Sequence, residues 1–297
     1  MDRSFYFIIN PNAGRKTDAR NLAEAVTTLF AGRGRAECAF TSGPGHALEL
    51  ARGAVASGFD AVVVAAGDGT INEALPALCG SRAALGLVPR GSGNGLAREF
   101  SIPLAPRRAL EALLKWRPRR IDLGKINGEY FANVAGIGID ALIGEAFNSF
   151  GRKGPRGKLP YYYFGLRQYV SYKPPRLELE CGGKTSVVKP LCLAFANCRQ
   201  FGGGAVIAPS AKPDDGLLNI VTVDYRPWYQ TVRHLHKLFD GSIESSSLVS
   251  AAKSASALVR GEGEIVYHID GEPRRARGAI TVETVPSALA ILQGPES

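Results

Sequence analysis

The chain predicts two domains of different class. Residues 1–119 read as an α/β domain with an open, mostly parallel sheet, and residues 120–297 as a β-rich, antiparallel sandwich whose last residues, from about 286, return to the first domain. Three observations predict this. Short apolar runs alternate with segments of helical spacing as far as about residue 118. Beyond Arg117-Pro118-Arg119-Arg120 the pattern changes to short strands between turns. A length of 297 residues with 45% hydrophobic residues suffices for two cores.

Taken in order, Phe5 to Ile9 is a first strand ending in Asn10-Pro11-Asn12-Ala13-Gly14-Arg15. A helix follows from about Asp18 to Phe30, where Leu22, Val26, Leu29 and Phe30 share one face. Ala36 to Phe40 is the second strand, ending at Thr41, and Ala47 to Ala56 the second helix. The apolar run Val62 to Ala66 is a buried parallel strand that opens into Gly67-Asp68-Gly69-Thr70-Ile71-Asn72-Glu73, with a helix starting after Thr70. Leu85 to Pro89 is the next strand, followed by Arg90-Gly91-Ser92-Gly93-Asn94-Gly95 and a short helix carrying Leu96, Ala97 and Phe100. The turns at Asn10, Thr41, Gly67 and Gly91 all lie at strand carboxyl ends, where open α/β sheets bind ligands.

The stretch around Gly67 carries the chemistry of the first half. A strand, a tight glycine turn and a helix start make a phosphate site. The glycines admit dihedrals closed to other residues, and the amides of the turn and helix N-terminus face anionic oxygens. Asp68 crowds a bare phosphate, so it points to a magnesium ion or a substrate hydroxyl nearby. Taken alone, the stretch is equally an ordinary βα turn capped by Asp or Thr.

In the second half, Asn127-Gly128 between Ile121–Ile126 and Tyr130–Val134 signals a type I′ hairpin. Further strands read as 177–180, 191–196, 217–223, 257–260, 265–269 and 280–285, interrupted by helices at 159–172 and 229–239. Three constellations stand out. Gly202-Gly203-Gly204 leads to Asp214-Asp215-Gly216, where adjacent carboxylates with backbone carbonyls hold a magnesium ion or simply make a turn. Asp270-Gly271-Glu272 puts two carboxylates on a turn after an apolar strand, either as a general base toward an alcohol or as solvated hairpin charges. Residues 147–173 mix Phe150, Tyr161, Tyr162, Tyr163, Phe164 and Tyr169 with Arg152, Lys153, Arg156, Lys158 and Arg167, suiting an anionic membrane surface or a helix packed on the sheet beside a basic loop.

Composition excludes several classes. No apolar run reaches membrane-spanning length and the opening is too short for a signal peptide, so a soluble, intracellular chain is expected. Five scattered cysteines without a Cys-x-x-Cys pair read as buried free thiols rather than disulfides or a zinc site. The net charge of +9 favours an anionic partner, but basic residues are dispersed and no nucleic-acid module is present. Gly182-Gly183-Lys184-Thr185 ends like a Walker A loop but has Glu178 in place of its first glycine.

In series, Asn10-Pro11-Asn12-Ala13-Gly14, Ala66-Gly67-Asp68-Gly69-Thr70-Ile71-Asn72-Glu73, Gly91-Ser92-Gly93-Asn94, Gly202-Gly203-Gly204, Asp214-Asp215-Gly216 and Asp270-Gly271-Glu272 resemble, in order and spacing, the motifs of the diacylglycerol kinase catalytic-domain family, which includes bacterial soluble lipid kinases and the sphingosine kinases. The resemblance covers essentially the whole chain and implies an NAD kinase/diacylglycerol kinase-like α/β domain with a β sandwich. It implies ATP held between the two domains by Asn10, Pro11, Asn12, Ala13, Gly14, Thr41, the run Ala66, Gly67, Asp68, Gly69, Thr70, Ile71, Asn72 and Glu73, and Ser92 and Asn94. It implies a structural magnesium ion (Mg2+) on the carbonyls of Lys212 and Leu217 and the side chain of Asp215, with Glu272 as general base and Asp68 as its rival in that role. The expected partners are a lipid alcohol such as diacylglycerol or a sphingoid base, an anionic membrane surface docked reversibly through basic loops at 152–158 and 274–277, and a second copy in a homodimer. The expected location is cytoplasmic, peripheral to the membrane.

Two departures stand out. Ala66 replaces the family's first glycine, and Gly95 stands where the soluble diacylglycerol kinases carry Asp, so that Gly-Ser-Gly-Asn-Gly-Leu-Ala is closer to the sphingosine kinase version. The alternatives are an NAD kinase-like enzyme, which would need a Gly-Thr-Pro-Thr-Gly-Ser-Thr-like segment that is not seen, and a catalytically silent lipid or nucleotide binder.

Overall fold

A computed structural model describes residues 3–14, 18–143, 169, 171–202 and 204–294. In chain order the first elements are β1 (Phe5–Ile9), α1 (Asp18–Phe30), β2 (Ala36–Phe40), α2 (His46–Ala56), β3 (Ala61–Ala66), α3 (Asp68–Leu78), β4 (Ala84–Pro89), α4 (Gly95–Glu99) and α5 (Pro106–Leu113). There follow β5 (Arg117–Ile126), β6 (Glu129–Phe131), β7 (Val134–Gly138), β8 (Leu177–Cys181), β9 (Lys184–Val188), β10 (Pro190–Ala196), β11 (Gln200–Gly202), β12 (Ala205–Val206) and β13 (Leu218–Asp224). The last are α6 (Trp228–Val232), α7 (Lys237–Asp240), β14 (Val249–Ser254), β15 (Ser256–Ile269) and β16 (Glu272–Gln293). The chain divides into two compact units, Met1–Ile121 with Ser287–Ser297, and Asp122–Pro286.

In the first unit β2, β1, β3, β4 and the end of β16 lie side by side, every pairing parallel. β3 and β4 are buried along their whole length, which is why they read as unbroken apolar runs rather than alternating ones. Helix α1 buries Ala19, Leu22, Val26 and Phe30 at one face, as its spacing requires. Gly86 lets β4 lie against its cover: a Cβ there would stand 2.9 Å from Val63 and 3.0 Å from Leu113.

The second unit is antiparallel in the order β14-β13-β10-β7-β15-β16, with β8 on β15, β9 on β8, and β6 on β5. Phe131, Phe195, Leu193, Ile220, Val259, Ile269 and Ile280 belong to its main core cluster, and a second cluster gathers around Ala194, Ile207, Ala208 and Val221. Asn127 at φ 47 and Gly128 at φ 89 make the type I′ turn between β5 and β6.

Several expectations are corrected. The strands expected at 257–260 and 265–269 are one strand with a register shift between Arg260 and Glu264, where Gly263 at φ 81 admits a bulge. The helix expected over 229–239 is two short helices. The segment 274–277 is not a loop but part of β16, with Arg274 paired to Glu129 and Arg275 to Glu264. Most of the helix expected at 159–172 and most of the aromatic and basic residues of 147–173 lie outside the described residues, as does Gly203.

Candidate functional site

In the first unit, three strand ends meet at Asn10. Its backbone N–H donates to Ala65 O (3.2 Å), tying the loop after β1 to β3. Its Oδ1 accepts from the Asn12 N–H (2.9 Å), which folds Asn10 to Gly14 into an Asx turn. Its Nδ2 donates to Thr70 Oγ1 (2.9 Å) in the first turn of α3. Its carbonyl accepts from Ala13 N–H (3.2 Å) and from Arg90 Nη1 (3.0 Å), just past the end of β4. Gly14 sits at φ +71, and a Cβ there would stand 3.7 Å from the Arg90 guanidinium. The cradle thus combines a turn, a helix N-terminus that Gly67 has no side chain to cap, and a buried cation. Those are the donors that anionic oxygens need.

The glycines here act differently from the sequence expectation. Gly67 has φ −94 and ψ 177, extended backbone open to any residue, and Asp68, Gly69 and Thr70 already belong to α3 rather than to a turn. What glycine permits is close approach: a Cβ on Gly91 would stand 2.7 Å from Gly67 Cα, and one on Gly67 3.2 Å from Gly91 Cα. Gly93 clears Asp68 in the same way, its Cβ position lying 3.1 Å from Asp68 Oδ2. Ala66 ends β3 without a positive φ, so the methyl that replaces the family glycine is not strained there.

The remaining predicted residues divide between facing this cradle and bracing it. Thr41 is buried and donates its N–H to Ile9 O (3.0 Å), beside Asn10. Pro11, Asn12 and Ala13 form the turn itself, and Ser92 is exposed on the loop after β4. Asn94, at φ 50, closes that loop by accepting from Gly91 N–H (2.9 Å) and donating to Gly91 O (2.8 Å). Glu73 accepts from Gly45 N–H (3.1 Å) at the start of α2, and Ile71 faces the core, while Asn72 is half-buried in α3. Sequence reasoning gave Arg90 no role, although it is the charged residue that directly follows the buried run of β4. Burial lowers the pKa of its guanidinium from the ordinary value, a cost that Asp18 partly offsets.

In the second unit, Glu272 follows the two-residue turn Asp270-Gly271, with φ 47 and 91, and pairs with Ile269 across it. Asp270 is not a solvated hairpin charge. Its Oδ2 accepts from Ala132 N–H (3.0 Å) and its Oδ1 from Asn133 (2.9 Å) and Val134 (3.0 Å). Three charge-assisted bonds, each worth about 1.5–3 kcal/mol, outweigh the roughly 1–2 kcal/mol of a left-handed residue. From the other side Gly271 N–H donates to His268 Nδ1 (3.2 Å), while His268 Nε2 meets Asp140 Oδ2 at 2.8 Å. A neutral His268 with its proton on Nε2 satisfies both. Gly136 makes the room, since a Cβ there would stand 2.6 Å from Asp140 and 2.8 Å from His268. Glu272 therefore rides on a turn pinned at both residues before it.

At Lys212, Asp215 and Leu217 the one carboxylate already has partners. Asp215 Oδ1 accepts from Leu217 N–H (3.1 Å) and its Oδ2 is paired with Lys253 Nζ at 2.7 Å, so an ammonium already balances the carboxylate. The nearby Asp122 turns its Oδ2 to Gly216 N–H (2.7 Å). Among the described residues no group of three His, Cys, Asp or Glu side chains could hold a metal.

Comparison with known proteins agrees with this architecture. The diacylglycerol kinase catalytic domain matches residues 4–126, and the YegS C-terminal NAD kinase beta sandwich-like domain matches residues 132–293. A diacylglycerol kinase of Mycobacterium tuberculosis is 33% identical over 297 residues, spanning 96% of this chain and 94% of its own length. A protein of Chromohalobacter salexigens named "probable lipid kinase YegS-like" is 32% identical over 233 residues, 77% of this chain and 75% of its own. The crystal structure of a diacylglycerol kinase from Bacillus anthracis superposes with a TM-score of 0.76 at 20% identity, covering 99% of this chain and 97% of that one, a likeness of fold.

Proposed function

The chain belongs to the diacylglycerol kinase catalytic-domain family of lipid kinases, and from that premise we propose that it transfers the γ-phosphate of ATP to the hydroxyl of a lipid alcohol, diacylglycerol or a sphingoid base. The observation that carries this reading is the convergence of the Asn10 turn, the α3 N-terminus and the buried Arg90 on one place.

Phosphoryl transfer needs positioning and charge stabilisation more than covalent chemistry. The turn Asn10 to Gly14 and the first amides of α3 hold phosphate oxygens, and Arg90, its charge desolvated, stabilises the negative charge that builds on them. Asp68, beside Gly93, suits a magnesium ion carried in with the nucleotide, which when bound neutralises phosphate charge. Glu272 takes the proton of the lipid hydroxyl, and the doubly pinned turn holds its carboxylate in place.

The test is transfer of labelled γ-phosphate from ATP into micelle-dispersed diacylglycerol, sphingoid base, monoacylglycerol and phosphatidylglycerol, with Glu272→Gln alongside. One lipid is expected to be labelled, and the variant to be slower by about 10²-fold or more. Equal rates in both proteins would remove Glu272 as the base and leave Asp68; no labelled lipid with ATP still bound would refute the reading.

A further inference from the structure

Among the described residues, most of the exposed large apolar side chains stand together. Trp228, Tyr229, Val232, Leu235 and Phe239 are each between 43% and 62% exposed, whereas the other three, Phe40, Leu104 and Val187, are scattered. Trp228, Tyr229 and Val232 lie on α6, Leu235 in the turns after it and Phe239 on α7, an exposed apolar group carried by consecutive short elements. The opposite side is anchored. Thr231 is buried and shares a hydrogen bond with the Tyr169 hydroxyl (2.8 Å), and Leu238 packs against the second core cluster.

Between its two flanking aspartates the segment carries charges of one sign. From 225 to 239 the chain carries Arg226, Arg233 and Lys237 and no carboxylate. Acidic residues close the segment at its ends, Asp224 paired with Arg226 (3.2 Å) and Asp240 accepting from Ser242 N–H and Oγ–H. His234 bonds Ser246 Oγ (2.8 Å) and Lys237 bonds Ser245 Oγ (2.9 Å), and Arg233 adds a further positive charge to the segment. Trp and Tyr beside Arg, over aliphatic side chains, is the chemistry of a lipid headgroup boundary.

We propose that the α6–α7 face of the second unit docks on an anionic lipid bilayer, with Trp228, Tyr229, Val232, Leu235 and Phe239 entering the headgroup layer and Arg233 and its neighbours meeting the lipid phosphates. The choice of a bilayer over a protein partner rests on the lipid-kinase reading. It also gives the enzyme a route to a membrane-borne substrate, since no helix among the described residues is long and apolar enough to cross a membrane. Within 274–277, Arg274 and Arg275 are already paired with carboxylates.

The chain supplies its own reporter. Of its two tryptophans, Trp116 is buried and Trp228 is exposed. The full chain is titrated with vesicles of equimolar phosphatidylglycerol and phosphatidylcholine, and with pure phosphatidylcholine, following tryptophan emission and co-sedimentation. A blue shift with the anionic vesicles, weakened by salt and absent in Trp228→Phe, is expected. Val232→Ser with Phe239→Ser, which keeps Trp228, should weaken binding by roughly tenfold or more. That pair should phosphorylate a water-soluble short-chain diacylglycerol as the wild type does, and lose rate only on vesicles. Vesicle binding unchanged in the double variant would overturn the proposal. So would sedimentation velocity showing a dimer that the double variant abolishes, without vesicle binding by the wild type, because a second copy would then cover the face. A chain that binds anionic vesicles through this face yet phosphorylates no lipid supports the docking surface while refuting the kinase reading.

Discussion

Replacing Gly91 with Ala tests whether the loops after β3 and β4 meet as closely as described. The new Cβ would stand 2.7 Å from Gly67 Cα and 3.0 Å from Asn94 Oδ1. Carbon atoms at rest lie about 3.5–4.0 Å apart, so one loop must retreat by roughly 0.8–1.3 Å. Overpacking of this kind costs about 1–3 kcal/mol. At about 2 kcal/mol the melting temperature should fall by roughly 4–8 °C. The larger effect is on catalysis, because the displaced loops carry the start of α3 and Arg90, and a 1 Å misplacement of positioning groups costs about 10²-fold in rate. Differential scanning fluorimetry and the rate of phosphate transfer against ATP concentration measure both. Gly53→Ala is the control: it lies within α2 with nothing within 4 Å and no positive φ. It should gain about 0.5–1 kcal/mol of stability and keep its rate. A Gly91→Ala protein with wild-type melting temperature and rate would refute the reasoning, since glycine would then not be required by contact.

Two further outcomes follow from particular side chains. An Asn at position 268 offers its amide oxygen where Nδ1 accepts the Gly271 N–H, whereas a Gln reaches Asp140 but not the turn. His268→Asn should therefore keep kcat within about threefold while His268→Gln loses more kcat than KM; stability should fall by about 1–3 kcal/mol in His268→Asn, which leaves the buried Asp140 without that donor, and equal losses of kcat would count against turn positioning. Thiol titration of the native chain with an aromatic disulfide should find Cys192 and Cys198 unreactive until unfolding. Both are buried, and burial followed by the nearby Asp140 raises the Cys192 pKa well above its ordinary value. Cys38 is exposed at its surface but burial of its surroundings raises the thiol to about 11, so it should react slowly at neutral pH; reaction of all five at one rate would refute this.

Where local physics dominates, the chain was legible. Val62 to Ala66 is apolar throughout because both faces of β3 are covered, and Asn127-Gly128 announced its hairpin because few other pairs accept positive φ at both positions. The polar strands β9 and β14 were invisible, because they are largely exposed and carry no apolar alternation for sequence to show. The motif glycines were legible as positions but not as reasons: Gly67 is there for the approach of Gly91, not for its dihedral. The working contacts of the two candidate sites join residues far apart in the chain. Asn10 meets Thr70 across 60 positions and Arg90 across 80, and His268 meets Asp140 across 128. The sequence by itself determined the two fold classes, the strand ends that carry polar turns, and the order of motifs. Only the tertiary structure decided that Arg90 is a buried cation at the Asn10 turn, that Asp270 braces the turn before Glu272, that Lys253 balances Asp215, and that the apolar side chains of α6, α7 and the turns between them face water. Each of these depends on which distant groups share a small volume, and neither periodicity nor local propensity encodes that.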